Sequence, residues 1–417
     1  MNEFNTIVAL LGGLILTLGL VSKPTGKSPV PPSLIALLLG ICVGPQLLNL
    51  INIEEMGDRT TILERAARLT LGIGLVGVAL RVPREFPRTN WRGMLVLLAA
   101  GMPLMWAIST ALVFYVLGIS LWLALLIGAI LTPTDPIAAS PIVTGELAEK
   151  NIPDRLRHII SFESGANDGV GYLFVFLPFL FLTRPADEAL SHWFTHTLLW
   201  EVGAATMLGL SLGYAAAKLL RACEARQMIR EDWRLVYTVA LGLLAAGAGK
   251  LIASDEVLVI FAAGAVFTQV ISSEDRKNEE QGQEAVNRFF AIPIVVLLGA
   301  ALPWAGWAEL GWRGVLLVVA ILLFRRIPVL LMLRPLLPEL RSQRDALFVG
   351  WFGPIAVAAI YYASLMEHRL QEPLVWHVVS LVICGSIVAH GMTGAPLTRL
   401  YGRGERKMNS STAGAPG

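Results

Sequence analysis

The feature that most constrains this chain is the recurrence of long apolar runs. A helix needs about 20 mostly apolar residues to cross the hydrocarbon core of a bilayer. The sequence offers about thirteen such segments, at roughly 5–22, 32–50, 66–80, 93–117, 120–143, 156–182, 196–217, 235–252, 256–272, 287–304, 313–333, 345–366 and 374–394. They predict an all-α polytopic membrane protein, with one transmembrane domain over residues 1–398 and a short cytoplasmic tail at 399–417.

Composition excludes the main alternatives to a membrane protein. Only 15% of the residues are charged, whereas soluble domains carry about 25%. The net charge of +2 gives no indication of nucleic-acid binding. The three cysteines are widely separated, which argues against a zinc site or a disulfide framework.

Lys and Arg residues are distributed unevenly between the predicted loops. Loops that follow odd-numbered segments hold 24 of the 33, Arg81 among them, and loops that follow even-numbered segments hold 7. Because cytoplasmic loops carry the excess of basic residues, the N-terminus is predicted outside and the C-terminus in the cytoplasm. We therefore expect a multi-pass protein of the cell membrane, either an inner or a plasma membrane.

The fifth segment is interrupted by residues 132–136, Thr-Pro-Thr-Asp-Pro. Proline lacks a backbone N–H and disfavours helix at the preceding residue, so we expect the helix to break there. Broken helices at this depth form ion sites in secondary transporters. Asp135 can bind an ion or cap the second half of the helix, and both roles stay open. Gly353-Pro354 predicts a matching break in the twelfth segment, which hints at inverted repeats.

The sixth segment carries a second polar stretch, residues 163–169, Glu-Ser-Gly-Ala-Asn-Asp-Gly. Ser164 and Asp168 are four residues apart and share one helix face. Glu163 lies about 140° around the helix from Asp168 and can point toward a neighbouring helix. A carboxylate with hydroxyl and carbonyl oxygens suits a cation such as Na⁺, and it can take a proton instead. The alternative interpretation is a polar packing seam.

Two adjacent arginines, Arg325 and Arg326, lie inside the eleventh segment. An arginine does not deprotonate in proteins, so it requires an anion within the membrane. Glu163 is the most economical partner. We predict a structural ion pair between Glu163 and one of the two arginines, with Arg326 slightly favoured, and the alternative is that one arginine snorkels to the cytoplasmic face.

Taken together, these motifs resemble those of the monovalent cation/proton antiporter family of the NhaP and Na⁺/H⁺-exchanger type. The likeness rests on residues 132–136, on residues 163–169, on Trp-Phe-Gly-Pro-Ile at 351–355 and on the membrane arginines, and it covers essentially the whole chain. The residues of these motifs most resemble those of the yeast-type plasma-membrane branch. The resemblance implies about thirteen helices in an inverted-repeat fold, with two discontinuous helices that cross at mid-membrane, and a homodimer.

The resemblance also implies a transporter rather than an enzyme. It would exchange Na⁺ or Li⁺ for H⁺ by alternating access, electroneutrally, with cation and proton competing at Asp168. Asn167 would support the site, and Ser164, Thr134 and Asp135 would supply further oxygens. The ligands of Na⁺ would be Asp168, Ser164 and Thr134. The partners would be the transported ions and the lipid bilayer, with no nucleic acid and no cofactor.

The chain departs from the family pattern at two places. Some relatives add a glutamate ligand from the third helix, but the segment at 66–80 has no acidic residue. Ile355 stands where the family often has a basic residue. Three other functions stay open: a K⁺/H⁺ antiporter of the same fold, a passive channel, and an intramembrane aspartyl protease using Asp135 and Asp168, whose Tyr-Asp and Gly-x-Gly-Asp signatures are missing here.

Overall fold

A computed structural model of the chain describes residues 2–20, 30–270 and 273–413. This part of the chain is helical and contains no strand. The undivided helices are α1 (Asn2–Leu20), α2 (Pro32–Val43), α3 (Arg59–Leu80), α4 (Trp91–Leu117), α6 (Asp154–Thr183), α7 (Ala186–Ala225), α8 (Trp233–Leu251), α9 (Glu256–Val270), α10 (Ser273–Ala300) and α13 (Pro373–Ala413). The divided helices are α5a and α5b (Leu121–Ile130, Ser140–Val143), α11a and α11b (Trp304–Phe324, Ile327–Leu333), and α12a and α12b (Gln343–Trp351, Val357–Leu370). Short helices at Ile53–Met56, Glu85–Thr89, Gly145–Asn151 and Arg334–Leu336 lie between them.

Each predicted apolar segment overlaps one helix or one divided helix, although α2 ends at Val43, before the predicted end at 50, and α11a begins at Trp304, before the predicted start at 313. Within the described residues, seven helices are long and apolar enough to cross a membrane, and four shorter ones are apolar; the shorter four are Val8–Leu20, Pro32–Val43, Leu121–Ile130 and Glu256–Val270. The all-α polytopic fold is thereby confirmed, and thirteen crossings and their orientation stay predictions. The ends of two segments, at 21–22 and 271–272, fall outside the described residues.

The last helix continues past the predicted domain boundary at residue 398. Helix α13 runs without interruption from Pro373 to Ala413, so residues 399–413 are helical, and the division into a transmembrane domain and a cytoplasmic tail stays a prediction. Residues 414–417 lie outside the described part of the chain. Likewise, α10 begins at Ser273, well before the predicted start near 287.

Several helices begin at a polar residue that caps them. The Asp58 carboxylate accepts a hydrogen bond from the Thr61 backbone N–H at the start of α3, and Ser120 does the same for Leu123 at the start of α5a. Such caps satisfy N–H groups that lack a partner within the helix. Hydrogen bonds from the Thr60 and Thr61 side chains lower the pKa of Asp58 to about 2, so this cap stays ionised near neutral pH.

The helices pack as two groups. Helices α1, α2, α3, α7, α8, α9 and α10 pack on one another and form what we call the scaffold group. Helices α4, α5, α6, α11, α12 and α13 form what we call the broken-helix group, because the divided helices α5, α11 and α12 belong to it. The two groups meet along a seam, where α3 packs against α12b and α6, and α9 packs against α6. The polar stretch of α6 lies along this seam.

Small residues allow close helix packing inside the scaffold group. Gly40 of α2 faces Gly299 of α10, and a Cβ atom added to Gly40 would lie only 2.9 Å from the Gly299 Cα and closer still to the Val296 carbonyl oxygen. Small residues are what allow helix backbones to approach this closely in membranes. The α2–α10 contact therefore depends on the absence of a side chain at position 40.

We predict that Gly40→Ala destabilises the protein, because the added methyl group forces two backbones apart. Overpacking of this kind costs about 1–3 kcal/mol. The matched control is Gly247→Ala in α8, where no atom lies within 4 Å of an added Cβ. Since alanine favours helix over glycine by about 0.5–1 kcal/mol, the control should be neutral or slightly stabilising. Thermal unfolding of both variants in detergent tests this, and equal midpoints would contradict it.

Candidate functional site

Two of the divided helices, α5 and α12, cross at their breaks. Helix α5a ends at Ile130 and α5b starts at Ser140, while α12a ends at Trp351 and α12b starts at Val357. The two non-helical segments are joined directly by a backbone hydrogen bond from the Asp135 N–H to the Pro354 carbonyl oxygen, of 2.8 Å. The predicted breaks at 132–136 and 353–354 are therefore both present and in contact.

Asp135 caps backbone from both broken helices. Its Oδ1 accepts hydrogen bonds from the N–H groups of Ile137 and Ala138, both of 2.8 Å, and its Oδ2 accepts one from the Val357 N–H at the start of α12b. The side chain is 1% exposed. Of the two roles left open for Asp135, the geometry supports capping, and both of its carboxylate oxygens are engaged by the protein.

Arg325 serves the opposite ends of the same two helices. One guanidinium nitrogen, Nη1, donates to the carbonyl oxygens of Leu131, Thr132 and Pro133 at 2.6, 2.9 and 3.1 Å. The other, Nη2, donates to the Gly353 carbonyl oxygen. A positive charge at helix C-terminal ends complements their partial negative charge. Arg325 therefore does not pair with Glu163, as had been considered, and it does not snorkel, because it is 3% exposed.

Arg326 forms the ion pair predicted for Glu163. Its Nη1 and Nη2 donate to the two carboxylate oxygens at 2.5 and 2.7 Å, which is the bidentate geometry favoured by arginine and carboxylate. Both side chains are 2% exposed. The Nε donates in addition to the Val349 carbonyl oxygen of α12a at 3.0 Å. The pair thus fastens α6 to α11 and α12a beside the crossing.

Three of the predicted site residues are linked by hydrogen bonds. Asn167 of α6 accepts from the Thr134 N–H at 3.2 Å and donates through its amide nitrogen to the Thr134 hydroxyl at 2.9 Å. The Thr134 and Ser164 hydroxyls lie 3.0 Å apart. All three side chains are about 1% exposed. The broken segment of α5 is therefore attached to the polar face of α6 at the level of Asp168.

Asp168 differs from the other buried acids of this region. It is fully buried, and among the described residues neither of its carboxylate oxygens has a hydrogen-bond partner. Its main-chain carbonyl oxygen accepts a hydrogen bond of 2.8 Å from the Tyr362 hydroxyl of α12b. Since an unpaired buried carboxylate is costly, this group needs either a proton or a cation. Its oxygens are available to bind one.

The third helix supplies no carboxylate near Asp168. On the α3 side, Val78 packs against Gly165, one turn before Asp168, and on the α9 side Phe261 does so. The absence of an acidic residue in 66–80 therefore has a structural counterpart: apolar side chains cover α6 at this level. Of the predicted Na⁺ ligands, Ser164 and Thr134 lie within hydrogen-bonding distance of each other, and Asp168 follows Ser164 by about one turn on the same face of α6. Asp135 is occupied by backbone N–H groups.

Sequence reasoning missed three polar residues close to the site. Tyr362 gave no signal within an apolar segment. Glu284 fell in a hydrophilic stretch ahead of a predicted segment. Arg81 was counted as a loop cation, yet its side chain is 4% exposed and pairs with Glu284 at 2.7 Å. The position of Arg81 at the very end of α3 was the one available signal that it could turn inward.

We predict that Arg326→Gln destabilises the protein by about 3–5 kcal/mol, because it leaves the Glu163 carboxylate buried without a counter-charge. The double variant Glu163→Gln/Arg326→Gln should recover much of this loss, since neither buried charge remains. Thermal unfolding in detergent of the two single variants and the double variant measures the coupling. A double variant as unstable as the sum of the single ones would contradict the ion pair.

We predict that Asp135→Ala costs several times more stability than Ser120→Ala. The first leaves three buried backbone N–H groups unsatisfied, at about 1–3 kcal/mol each. The second removes an ordinary helix cap at the start of α5a, worth about 1 kcal/mol. Both substitutions concern the divided helix α5, so their effects on stability can be compared directly. Equal losses of stability would show that the Asp135 hydrogen bonds contribute little to the crossing.

Comparison with known proteins agrees with this architecture. The family described as "Sodium/hydrogen exchanger, transmembrane" matches residues 7–400. A Na⁺/H⁺ antiporter of Saccharomyces cerevisiae is 31% identical over 89% of this chain and 41% of its own length. A protein named K⁺/H⁺ antiporter NhaP2, from a Shewanella species, is 23% identical over 96% of this chain and 67% of its own.

The fold also matches a solved structure. The sodium proton antiporter MjNhaP1 of Methanocaldococcus jannaschii superposes with a TM-score of 0.74, at 19% sequence identity, over 95% of this chain and 99% of the other. The chain spans about half the length of three of the yeast antiporters that it matches, at 49%, 41% and 54%. The family match covers nearly the whole chain, with both broken helices and the polar face of α6 inside it. This chain belongs to the transmembrane sodium/hydrogen exchanger family.

Proposed function

We propose that this protein exchanges Na⁺ or Li⁺ for H⁺ across a membrane, with both ions competing for the Asp168 carboxylate. One observation carries the proposal. Of the three acids at the crossing, Asp135 and Glu163 have their oxygens engaged by the protein, and Asp168 alone has two buried oxygens without a partner. A hard cation prefers such oxygen ligands, and a proton neutralises the same group.

Competition at one carboxylate makes the transport an exchange. A Na⁺ ion and a proton both neutralise Asp168, so binding of one displaces the other. Ser164 and Thr134 offer hydroxyl oxygens beside it, and Asn167 positions Thr134. With a single available carboxylate, each loaded form is neutral, which favours electroneutral 1:1 exchange. The relatives named Na⁺/H⁺ antiporters are the more similar ones, so Na⁺ is the first candidate, and K⁺ is the alternative.

Two other candidate functions fit the site less well. An aspartyl protease needs two carboxylates that share a proton. Asp135 cannot supply the second carboxylate, because backbone N–H groups of both broken helices occupy its oxygens. A passive channel would need no proton coupling, whereas the matched relatives are named antiporters. We further propose that the protein acts as a homodimer in the cell membrane, with no cofactor beyond its transported ions.

Purified full-length protein in sealed vesicles tests the exchange. Addition of Na⁺ should drive proton movement, reported by a pH-sensitive dye, and clamping the membrane potential with K⁺ and valinomycin should not alter the rate. Asp168→Asn should reduce exchange to the level of protein-free vesicles, because the amide neither ionises nor binds a proton. Asp154→Asn, at a largely exposed helix start, is the matched control and should retain the wild-type rate.

Competition has its own signature in the same vesicles. As pH falls through the range in which the unloaded carboxyl is protonated, the apparent KM for Na⁺ should rise about tenfold per pH unit, because a proton must leave first. Parallel titrations with Li⁺, Na⁺ and K⁺ rank the cations. Unchanged exchange in Asp168→Asn, or a KM independent of pH, would overturn the proposed site.

A further inference from the structure

Helix α3 makes polar contacts across the seam at both of its ends. It runs from Arg59 to Leu80, about 30 Å at 1.5 Å per residue, which is the thickness of the hydrocarbon core. Arg59 begins the helix and Arg81 immediately follows it. Between them, Arg68 of α3 lies 3.8 Å from Glu256 of α9, which accepts a hydrogen bond from the Tyr361 hydroxyl of α12b. Closer to Arg81 the contact is apolar, as Val78 illustrates against Gly165 of α6.

The contact at the Arg81 end joins both groups of helices. Arg81 Nη2 donates to Glu284 Oε2 of α10 at 2.7 Å, and Arg81 Nη1 donates at 2.9 Å to the carbonyl oxygen of Pro136, in the broken segment of α5. The Ser140 hydroxyl of α5b donates to the other Glu284 oxygen. We call these four residues the inner latch, since positive-inside topology places them toward the cytoplasm.

The contact at the Arg59 end joins α3 to the other broken helix. Arg59 donates to the Glu367 carboxylate of α12b at 2.6 Å, and the guanidinium lies over the Trp376 ring of α13 at 5.1 Å. Arg59 and Glu367 each keep one buried polar atom without a hydrogen-bond partner. We call this pair the outer latch. Beside it, the Thr60 hydroxyl of α3 lies 3.2 Å from His368 Nδ1 of α12b, so among the described residues two hydrogen bonds cross the seam at each end of α3.

We propose that the inner and outer latches are the two gates of alternating access in this protein. Asp168 lies on the seam between them, fully buried, and both latches are closed in this structure. The seam can open toward one side only if the latch on that side separates. The relative stability of the two latches decides which side opens, and the transported ions shift that balance.

The inference rests on the proposed exchange for its mechanism, but its first test needs no transport. Asp168→Cys is placed in a background in which Cys42, Cys223 and Cys384 are replaced by serine, and the single thiol is labelled by a membrane-impermeant methanethiosulfonate from either face. Arg81→Gln should raise the labelling rate from the cytoplasmic face about tenfold and lower it from the outer face, since one population grows at the expense of the other. Arg59→Gln should do the reverse.

The second test uses exchange in vesicles of one orientation. Arg81→Gln should lower the apparent KM for Na⁺ at the cytoplasmic face and raise it at the outer face, and Arg59→Gln should have the opposite effect. Arg81→Lys and Arg59→Lys, which keep the charge, should show smaller shifts of the same sign. Each variant serves as the control for the other, because a merely structural defect would weaken both faces alike.

The outcomes separate the two proposals. Labelling and KM shifts of opposite sign in the two variants support the latches. Shifts of the same sign at both faces, or no shift in folded protein, overturn them even when the wild type exchanges ions normally. Labelling shifts of opposite sign in the Asp168→Cys background, together with a wild type that exchanges no ions, would overturn the proposed function and leave the latches supported.

Discussion

An unpaired backbone N–H or C=O group in a hydrocarbon environment costs several kcal/mol, and two interrupted helices create many such groups at once. The rest of this structure depends on how they are satisfied. Asp135 accepts from N–H groups of both broken helices, and Arg325 donates to carbonyl oxygens of both. One negative and one positive side chain therefore bind backbone groups of both crossing segments. If either helix were continuous, its N–H and C=O groups would be bonded within the helix, and Asp135 and Arg325 would each lose part of their partners.

This use of charge decides which group can bind an ion. Glu163 and Arg326 neutralise each other. Asp135 is hydrogen-bonded to backbone N–H groups, and Arg325 is hydrogen-bonded to backbone carbonyl oxygens. Asp168 is then the acid of the crossing left without a partner. Its availability is thus a result of four other charges being engaged, and moving any of those four would change the electrostatic environment of the site.

The sequence was sufficient to predict what depends on local chemistry. Prolines at 133, 136 and 354 locate the breaks, because the missing backbone N–H of a proline interrupts the helix at that position. The angular separation of Glu163 and Asp168 follows from helix geometry, and the need of a buried arginine for an anion singled out Glu163 as a partner. These expectations match the observed positions of the side chains.

Other features depend on contacts that no local pattern encodes. The carbonyl groups bound by Arg325 come from residues 131–133 and 353, which only the crossing brings together. Any count of basic residues assigns Arg81 to a loop. Its burial results from the packing of α10 and of the broken segment of α5 against the end of α3. The start of α10 and the extension of α13 beyond 398 were missed because polar residues can continue a helix outside the membrane.

The neutral amide of Asn167 affects how much uncoupled ion movement the proposed site allows. Because Asn167 is neutral and locked onto Thr134, the proposed site carries one negative charge when empty and none when it holds a proton or a monovalent cation. Carrying an ionised, unpaired side chain through the membrane centre costs at least about 2.5–3.5 kcal/mol, which slows the empty form about a hundredfold relative to the loaded one. In the proposed exchange, the empty site therefore rarely crosses the membrane without an ion. Little of the ion gradient is then lost to movement of one ion that is not coupled to the other.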